Sequence, residues 1–164
     1  MRKVFLLSLL LVVLSLVIPW LVVTLGPAPE PAVQPIPSVT ASAAVAPDSE
    51  TAITALSGGE LVETTMADWL PGVVAAEMPA SFAPEALRAQ AVAARTYILQ
   101  RMRGGAANHP EAGVCDQYTC CCARKDDAAL REQWGADYAR NMARIRQAVT
   151  DTDGQYLTYG GQLI

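Results

Sequence analysis

Aromatic residues make up only 6% of this 164-residue chain, which argues against a large enzyme built around a deep aromatic core and for a modest, alanine-packed domain. A second histidine is missing, as are a G-x-S-x-G turn and a glycine-rich phosphate loop, so serine-hydrolase and nucleotide-binding readings have no support. Basic charge is also scarce. Arg2 and Lys3 are two of the twelve Lys plus Arg, so residues 26–164 carry ten positive charges against sixteen negative ones, a formal net of −6. A nucleic-acid binder needs the opposite balance to neutralise phosphates, and no nucleic-acid partner is expected.

What is present begins with residues 4–25, mostly Leu and Val, without a single charge. At 1.5 Å per residue such a helix covers roughly 30 Å of hydrocarbon, and the apolar core is longer than the roughly 7–15 residues of a signal peptide. The small-x-small triplet Ala41-Ser42-Ala43 lies too far downstream for a cleavage site. The expectation for residues 1–25 is therefore a cytoplasmic tip and an uncleaved transmembrane anchor, with Pro19 marking at most a kink. Arg2 and Lys3 place the N-terminus inside and the remainder of the chain outside the cytoplasm by the positive-inside rule. Residues 26–50 hold six of the eleven prolines and no aromatic residue, a composition that buries almost nothing and reads as an extended linker of up to roughly 75 Å.

Residues 51–164 read as one α+β domain, mainly helical and flanked by β-hairpins. Two short strand patterns surround Ser57-Gly58-Gly59, whose glycines suit a tight turn. Thr65 and Asp68 resemble a capping box opening a helix that runs to Met78 and is stopped by Pro79. A second helix begins at Pro84 and ends before Gly104-Gly105, with Leu87, Ala91, Ala94, Ile98 and Met102 on one face. Residues 104–124 read as a loop that carries His109 and all four cysteines. Helices over 126–134 and 137–150 follow, the latter with Tyr138, Met142, Ile145 and Val149 as its buried stripe, and a second hairpin turns at Tyr159-Gly160-Gly161. Its returning strand has only begun at Leu163-Ile164, so the domain is expected to be incomplete.

Two groups of residues invite chemistry. Glu77 closes an apolar helix against a bend, where a carboxylate can serve as general acid or base; a solvated glutamate at a helix end is the simpler reading. Arg95 either holds an acidic group of a substrate or pairs with a structural carboxylate. His109, Cys115, Cys120, Cys121 and Cys122 form H-x5-C-x4-C-C-C, with enough soft donors for tetrahedral zinc. The spacing is not a standard C-x-x-C knuckle, and outside the cytoplasm disulfides or unpaired thiols are alternatives.

Residues 69–102, WLPGVVAAEMPASFAPEALRAQAVAARTYILQRM, resemble the signature of the stage II sporulation protein D family, which includes amidase-enhancer proteins. The resemblance continues through His109-x5-Cys115, the REQWG segment at 131–135 and the closing DTDGQYLTYGGQLI, and so covers roughly residues 51–164. It implies a membrane-anchored lytic transglycosylase that cuts glycan strands of peptidoglycan, already denuded of stem peptides, between mother cell and forespore during engulfment. A cell-wall amidase and a membrane protein of the engulfment machinery are the implied partners, and a non-catalytic amidase enhancer is the alternative.

By that resemblance Glu77 is the catalytic acid and Arg95 a substrate-binding arginine of the same active site. Some relatives hold a structural zinc with His-x5-Cys-x4-His-Cys. His109, Cys115 and Cys121 fall on three of those positions, Cys120 stands where the relatives have histidine, and Cys122 is an extra thiol. No organic cofactor is implied. The family continues beyond the second hairpin with a strand and a Ser/Gly-rich segment that lines the cleft.

Overall fold

The computed structural model describes residues 2–25, 46–105 and 108–164 and divides into two units, Met1–Ala41 and Ser42–Ile164. The first contains helix α1 (Arg2–Leu25), with Pro19 inside it. Among the described residues no helix is long and apolar enough to cross a membrane, which corrects the transmembrane anchor expected over residues 4–25. Residues 26–45 of the expected linker, with the Ala41-Ser42-Ala43 triplet, lie outside the described residues.

The second unit mixes strand and helix, as expected. Strands β1 (Ala52–Ser57) and β2 (Glu60–Thr65) form an antiparallel hairpin in register from Ala52 with Thr65 to Ser57 with Glu60. Its turn puts Gly58 and Gly59 at φ of 59° and 88°, a region that residues with a Cβ rarely enter. Ile53 and Ala55 alternate inward and are fully buried. Helix α2 (Met66–Glu77) starts directly after the hairpin, with the Thr65 hydroxyl accepting from the Asp68 amide at 3.3 Å. The helix continues through Pro71 and Gly72, both buried, and stops at an extended Met78 because the residue before a proline is pushed out of helical geometry.

Helix α3 (Pro84–Gly104) buries Leu87, Ala91, Ala94 and Ile98 along the expected stripe, together with Arg95 and Thr96. The following loop contains a strand that the pattern did not reveal, β3 (Val114–Cys115), parallel to β1 and beside it in the order β2-β1-β3. Two residues are too few to show an alternation. Helix α4 (Asp127–Trp134) is capped by the Asp126 carboxylate, which accepts from the Ala129 amide at 2.7 Å. A single 3-10 turn, Gly135–Asp137, leads into α5 (Tyr138–Asp151), where Met142, Ile145 and Val149 are buried and Tyr138 only partly so. Strands β4 (Thr158–Tyr159) and β5 (Gln162–Leu163) form the second hairpin.

Helices α2, α3 and α5 pack on one another, and α2 also meets the β1–β2 hairpin. Trp69, Leu70, Ile98 and Ile145 are at most 1% exposed, and each such side chain contributes roughly 1.5–3 kcal/mol by leaving water. The packing makes α2 a rigid support, and Glu77 is its last residue.

Candidate functional site

Glu77 is exposed at the C-terminal end of α2. Among the described residues it has no hydrogen-bond or ion-pair partner. It lines an open cleft of about 350 Å³ whose other walls include Pro79, Lys125, Gln133, Trp134, Arg140 and Asn141. One carboxylate, one indole, two amides and two cations form a surface suited to a sugar, since aromatic faces stack on rings and amides bond hydroxyls. Pattern reading singled out Glu77 but none of its cleft companions. Among those companions Pro79 is read only as the stop of α2, and Gln133 and Trp134 only as part of the REQWG segment.

The cleft is held by contacts to α2. The Lys125 amide donates to the Gly72 carbonyl at 3.2 Å, and the Lys125 carbonyl oxygen sits 2.5 Å from where a Cβ on Gly72 would be. Glycine is what allows that approach. One residue earlier, the Arg124 guanidinium lies 4.2 Å from the Trp69 ring centroid, a cation–π contact. Residues 124–125 are thus clamped onto the helix that ends in Glu77, and the Asp126 cap starts α4 from that fixed point.

Arg95 is in a different place. It is 1% exposed and lines a separate cavity of about 260 Å³ with Ser49, Asp68 and Asp153. Its Nε donates to Asp48 Oδ1 at 3.0 Å, Nη1 to the Thr152 carbonyl at 2.6 Å, to Thr152 Oγ1 at 3.2 Å and to the Gln155 carbonyl at 3.4 Å, and Nη2 to the Val149 carbonyl at 3.0 Å. The guanidinium therefore satisfies the carbonyls that end α5. Burial and a hydrogen bond to Asp153 raise the pKa of Asp48 against the pull of Arg95. Arg95 thus pairs with a carboxylate inside the fold and does not line the cleft that Glu77 lines.

The thiol loop forms the second candidate centre. One ligand atom each from His109, Cys115, Cys120 and Cys121 lies within 4.8 Å of the others, and no disulfide joins the four cysteines. Tetrahedral zinc needs its donors roughly 3.5–3.8 Å apart, so the four fit the ion after a contraction of about 1 Å. His109 is buried, and its Nδ1 bonds the Ala112 carbonyl at 2.9 Å. A carbonyl only accepts, so Nδ1 carries the proton, and Nε2, 3.3 Å from Cys121 Sγ, faces the thiols.

Burial would raise the Cys121 thiol, but hydrogen bonds from His109, Cys115 and Arg101 bring it down to about 7. The same contact, together with the Ala112 carbonyl, outweighs burial at His109 and holds it at about 9. Arg101 Nη2 reaches Cys121 Sγ at 3.7 Å and Asn108 Nδ2 reaches Cys120 Sγ at 3.6 Å. These two supports had no signal in the sequence pattern. Cys122 is not in the cluster: it packs against the hydrophobic core, where burial, Cys121 and Glu77 push its thiol up to about 12.

A family model described as Stage II sporulation protein matches residues 58–159 of this chain. Stage II sporulation protein D of Bacillus amyloliquefaciens is 44% identical over 93 residues, 56% of this chain and 27% of that protein. The protein of the same name from Bacillus subtilis (strain 168) is 43% identical over 98 residues, 59% of this chain and 29% of that protein. The chain spans less than a third of the length of these curated relatives.

Proposed function

Since the chain belongs to the stage II sporulation protein D family, we propose that it is a peptidoglycan lytic transglycosylase working on denuded glycan strands between mother cell and forespore, with Glu77 as its single acid. The observation that carries this reading is the isolation of Glu77: one exposed carboxylate in a cleft with an indole and two amides, and no second carboxylate among its lining residues. Hydrolysis of a glycosidic bond usually takes two carboxylates, one to protonate the leaving oxygen and one to activate water or attack the sugar. A transglycosylase needs one, because the 6-hydroxyl of the muramic acid is the nucleophile.

In the proposed reaction Glu77 gives its proton to the oxygen joining N-acetylmuramic acid to N-acetylglucosamine. The resulting carboxylate then takes the proton of the 6-hydroxyl as that oxygen closes on C1. The product is a 1,6-anhydro sugar, the leaving strand keeps the transferred proton, and no water is consumed. Trp134 would stack on a ring, and Gln133 and Asn141 would bond sugar hydroxyls.

His109, Cys115, Cys120 and Cys121 would hold a structural zinc, which supplies a cross-link between β3 and the loop that leads to Lys125. A cell-wall amidase would act upstream by removing stem peptides.

One observation favours the second reading, a non-catalytic amidase enhancer. Arg95, which the resemblance assigns to the same active site as Glu77, spends its donors inside the fold and lines another cavity. Full-chain protein on amidase-treated glycan strands separates the two. Anhydromuramyl ends that appear with the wild type and vanish with Glu77→Ala support the transglycosylase; amidase stimulation that survives Glu77→Ala without any anhydro product supports the enhancer.

A further inference from the structure

The cleft contains a cation that the proposed reaction does not use. Lys125 is half-buried, its Nζ donates to Gln133 Oε1 at 2.6 Å, and among the described residues no carboxylate pairs with it. The charged groups lining the cleft are Glu77, Lys125 and Arg140, and Arg140 is already paired with Asp137 at 3.1 Å. Glu77 must be neutral to act as an acid, so the working cleft is net positive.

A lysine that needed only solvation would swing into water on its flexible stem. Here the backbone is pinned by the Gly72 contact and the Arg124–Trp69 stack, and the Gln133 amide holds the ammonium at the cleft wall. Gln133 is neutral, so it orients the charge and does not cancel it. A positioned cation without an internal counter-ion fits an anion brought by the ligand.

On a strand of alternating N-acetylglucosamine and N-acetylmuramic acid the sugars are neutral except at the lactyl group. That group is a carboxylate when the stem peptide has been removed and an amide when it is attached. We propose, resting on the transglycosylase reading of this cleft, that Lys125 binds the free lactyl carboxylate of the muramic acid and so makes the cleft selective for strands stripped of peptide. An ammonium–carboxylate bond is charge-assisted, whereas an amide carbonyl offers only a neutral acceptor. Lys125 is a specificity residue, and the proton transfers remain with Glu77.

The test is binding, measured with full-chain Glu77→Ala protein so that strands are not consumed, by titration calorimetry or by the fluorescence of Trp134. Two probes are compared: glycan strands with free lactyl carboxylates, and the same strands with those carboxylates converted to methylamides. The free strands are expected to bind about tenfold more tightly, a charge-assisted bond being about twice as strong as a neutral one. Adding Lys125→Gln should bring that ratio close to one, and Lys125→Arg should restore most of it.

Raising salt from about 50 to 200 mM should weaken the free strands alone, which tests the wild-type lysine directly if Lys125→Gln does not fold. Equal binding of both probes, a ratio that survives Lys125→Gln, salt-insensitive binding or no binding of either probe would each overturn the proposal. Turnover is not read in this experiment. Absence of anhydro products from the wild type would therefore count against the transglycosylase and leave the binding ratio to decide Lys125.

Discussion

The Arg124 guanidinium lies 4.2 Å from the centroid of the Trp69 ring, and through this contact the loop of four thiols is fastened to the helix that carries Glu77. Arg124 follows Cys122 by two residues and Trp69 precedes Glu77 by two helical turns. Lys125 then packs on Gly72 and reaches the cleft. Order in the thiol cluster is thereby linked to the geometry of the candidate acid's surroundings, although His109 and Glu77 are far apart in the chain.

Gly72→Ala tests that fastening. The new Cβ would meet the Lys125 carbonyl oxygen at 2.5 Å, a backbone atom that cannot yield cheaply. Alanine gains about 1 kcal/mol of helix propensity over glycine, and the clash costs about 1–3 kcal/mol. The expected outcome is net destabilisation by up to about 2 kcal/mol, read from the urea midpoint, together with weaker glycan binding. A variant more stable than wild type would show that the strap moves freely.

Asp48→Ala should be among the most destabilising single changes. It leaves the Arg95 guanidinium, 1% exposed, without the only carboxylate partner it has among the described residues. Breaking a buried pair from one side costs about 3–5 kcal/mol, so a large drop in the denaturation midpoint is expected, whereas Glu77→Ala at an exposed position should stay within about 0.5 kcal/mol of wild type.

Asp116 sets part of the acid limb of stability. Burial would raise its pKa, but it accepts from the Gly58 amide at 2.9 Å and from Ser57 Oγ at 3.0 Å, and with the Gln117 bond these hold it below its ordinary value of 3.8. A carboxylate with a depressed folded pKa binds fewer protons folded than unfolded, so its contribution is complete above the unfolded value and is lost as pH falls through the folded one. Asp116→Asn should lower stability at pH 6 and flatten the loss below about pH 4. An acid limb identical to that of the wild type would reject this role.

Metal content separates the thiols. Full-chain protein should carry one zinc per molecule, Cys121→Ser should lose it, and Cys122→Ser should keep it, because Cys122 packs into the core and not into the cluster. Chelation should lower the melting temperature of wild type and of Cys122→Ser but not of Cys121→Ser. Zinc retained by Cys121→Ser would remove that cysteine from the ligand set.

Much of the domain was legible in the residues themselves because its signals are local. A glycine pair marked the first hairpin, Thr65 and Asp68 the start of α2, Pro79 its end, and the spacing from Leu87 to Ile98 the buried face of α3. The H-x5-C-x4-C-C-C run singled out the donors that the fold brings within 4.8 Å. Strand β3 was hidden because two residues show no period, and its pairing with β1 depends on a chain contact some sixty residues long in sequence.

Local pattern could not tell Cys120 from Cys122, since adjacent thiols in a loop differ only in which way the backbone turns them. Nor could it separate Arg95 from Glu77, because helical spacing says which face is buried and not which carbonyls from α5 will meet a guanidinium there. The sequence by itself determined the elements, their caps and the kinds of donor available, all of which follow from interactions among near neighbours. Only the tertiary structure decided that Glu77 faces Lys125 and Trp134 in one open cleft while Arg95 is consumed within the fold. Those outcomes depend on how α2, α3 and α5 pack, and no short-range rule carries that information.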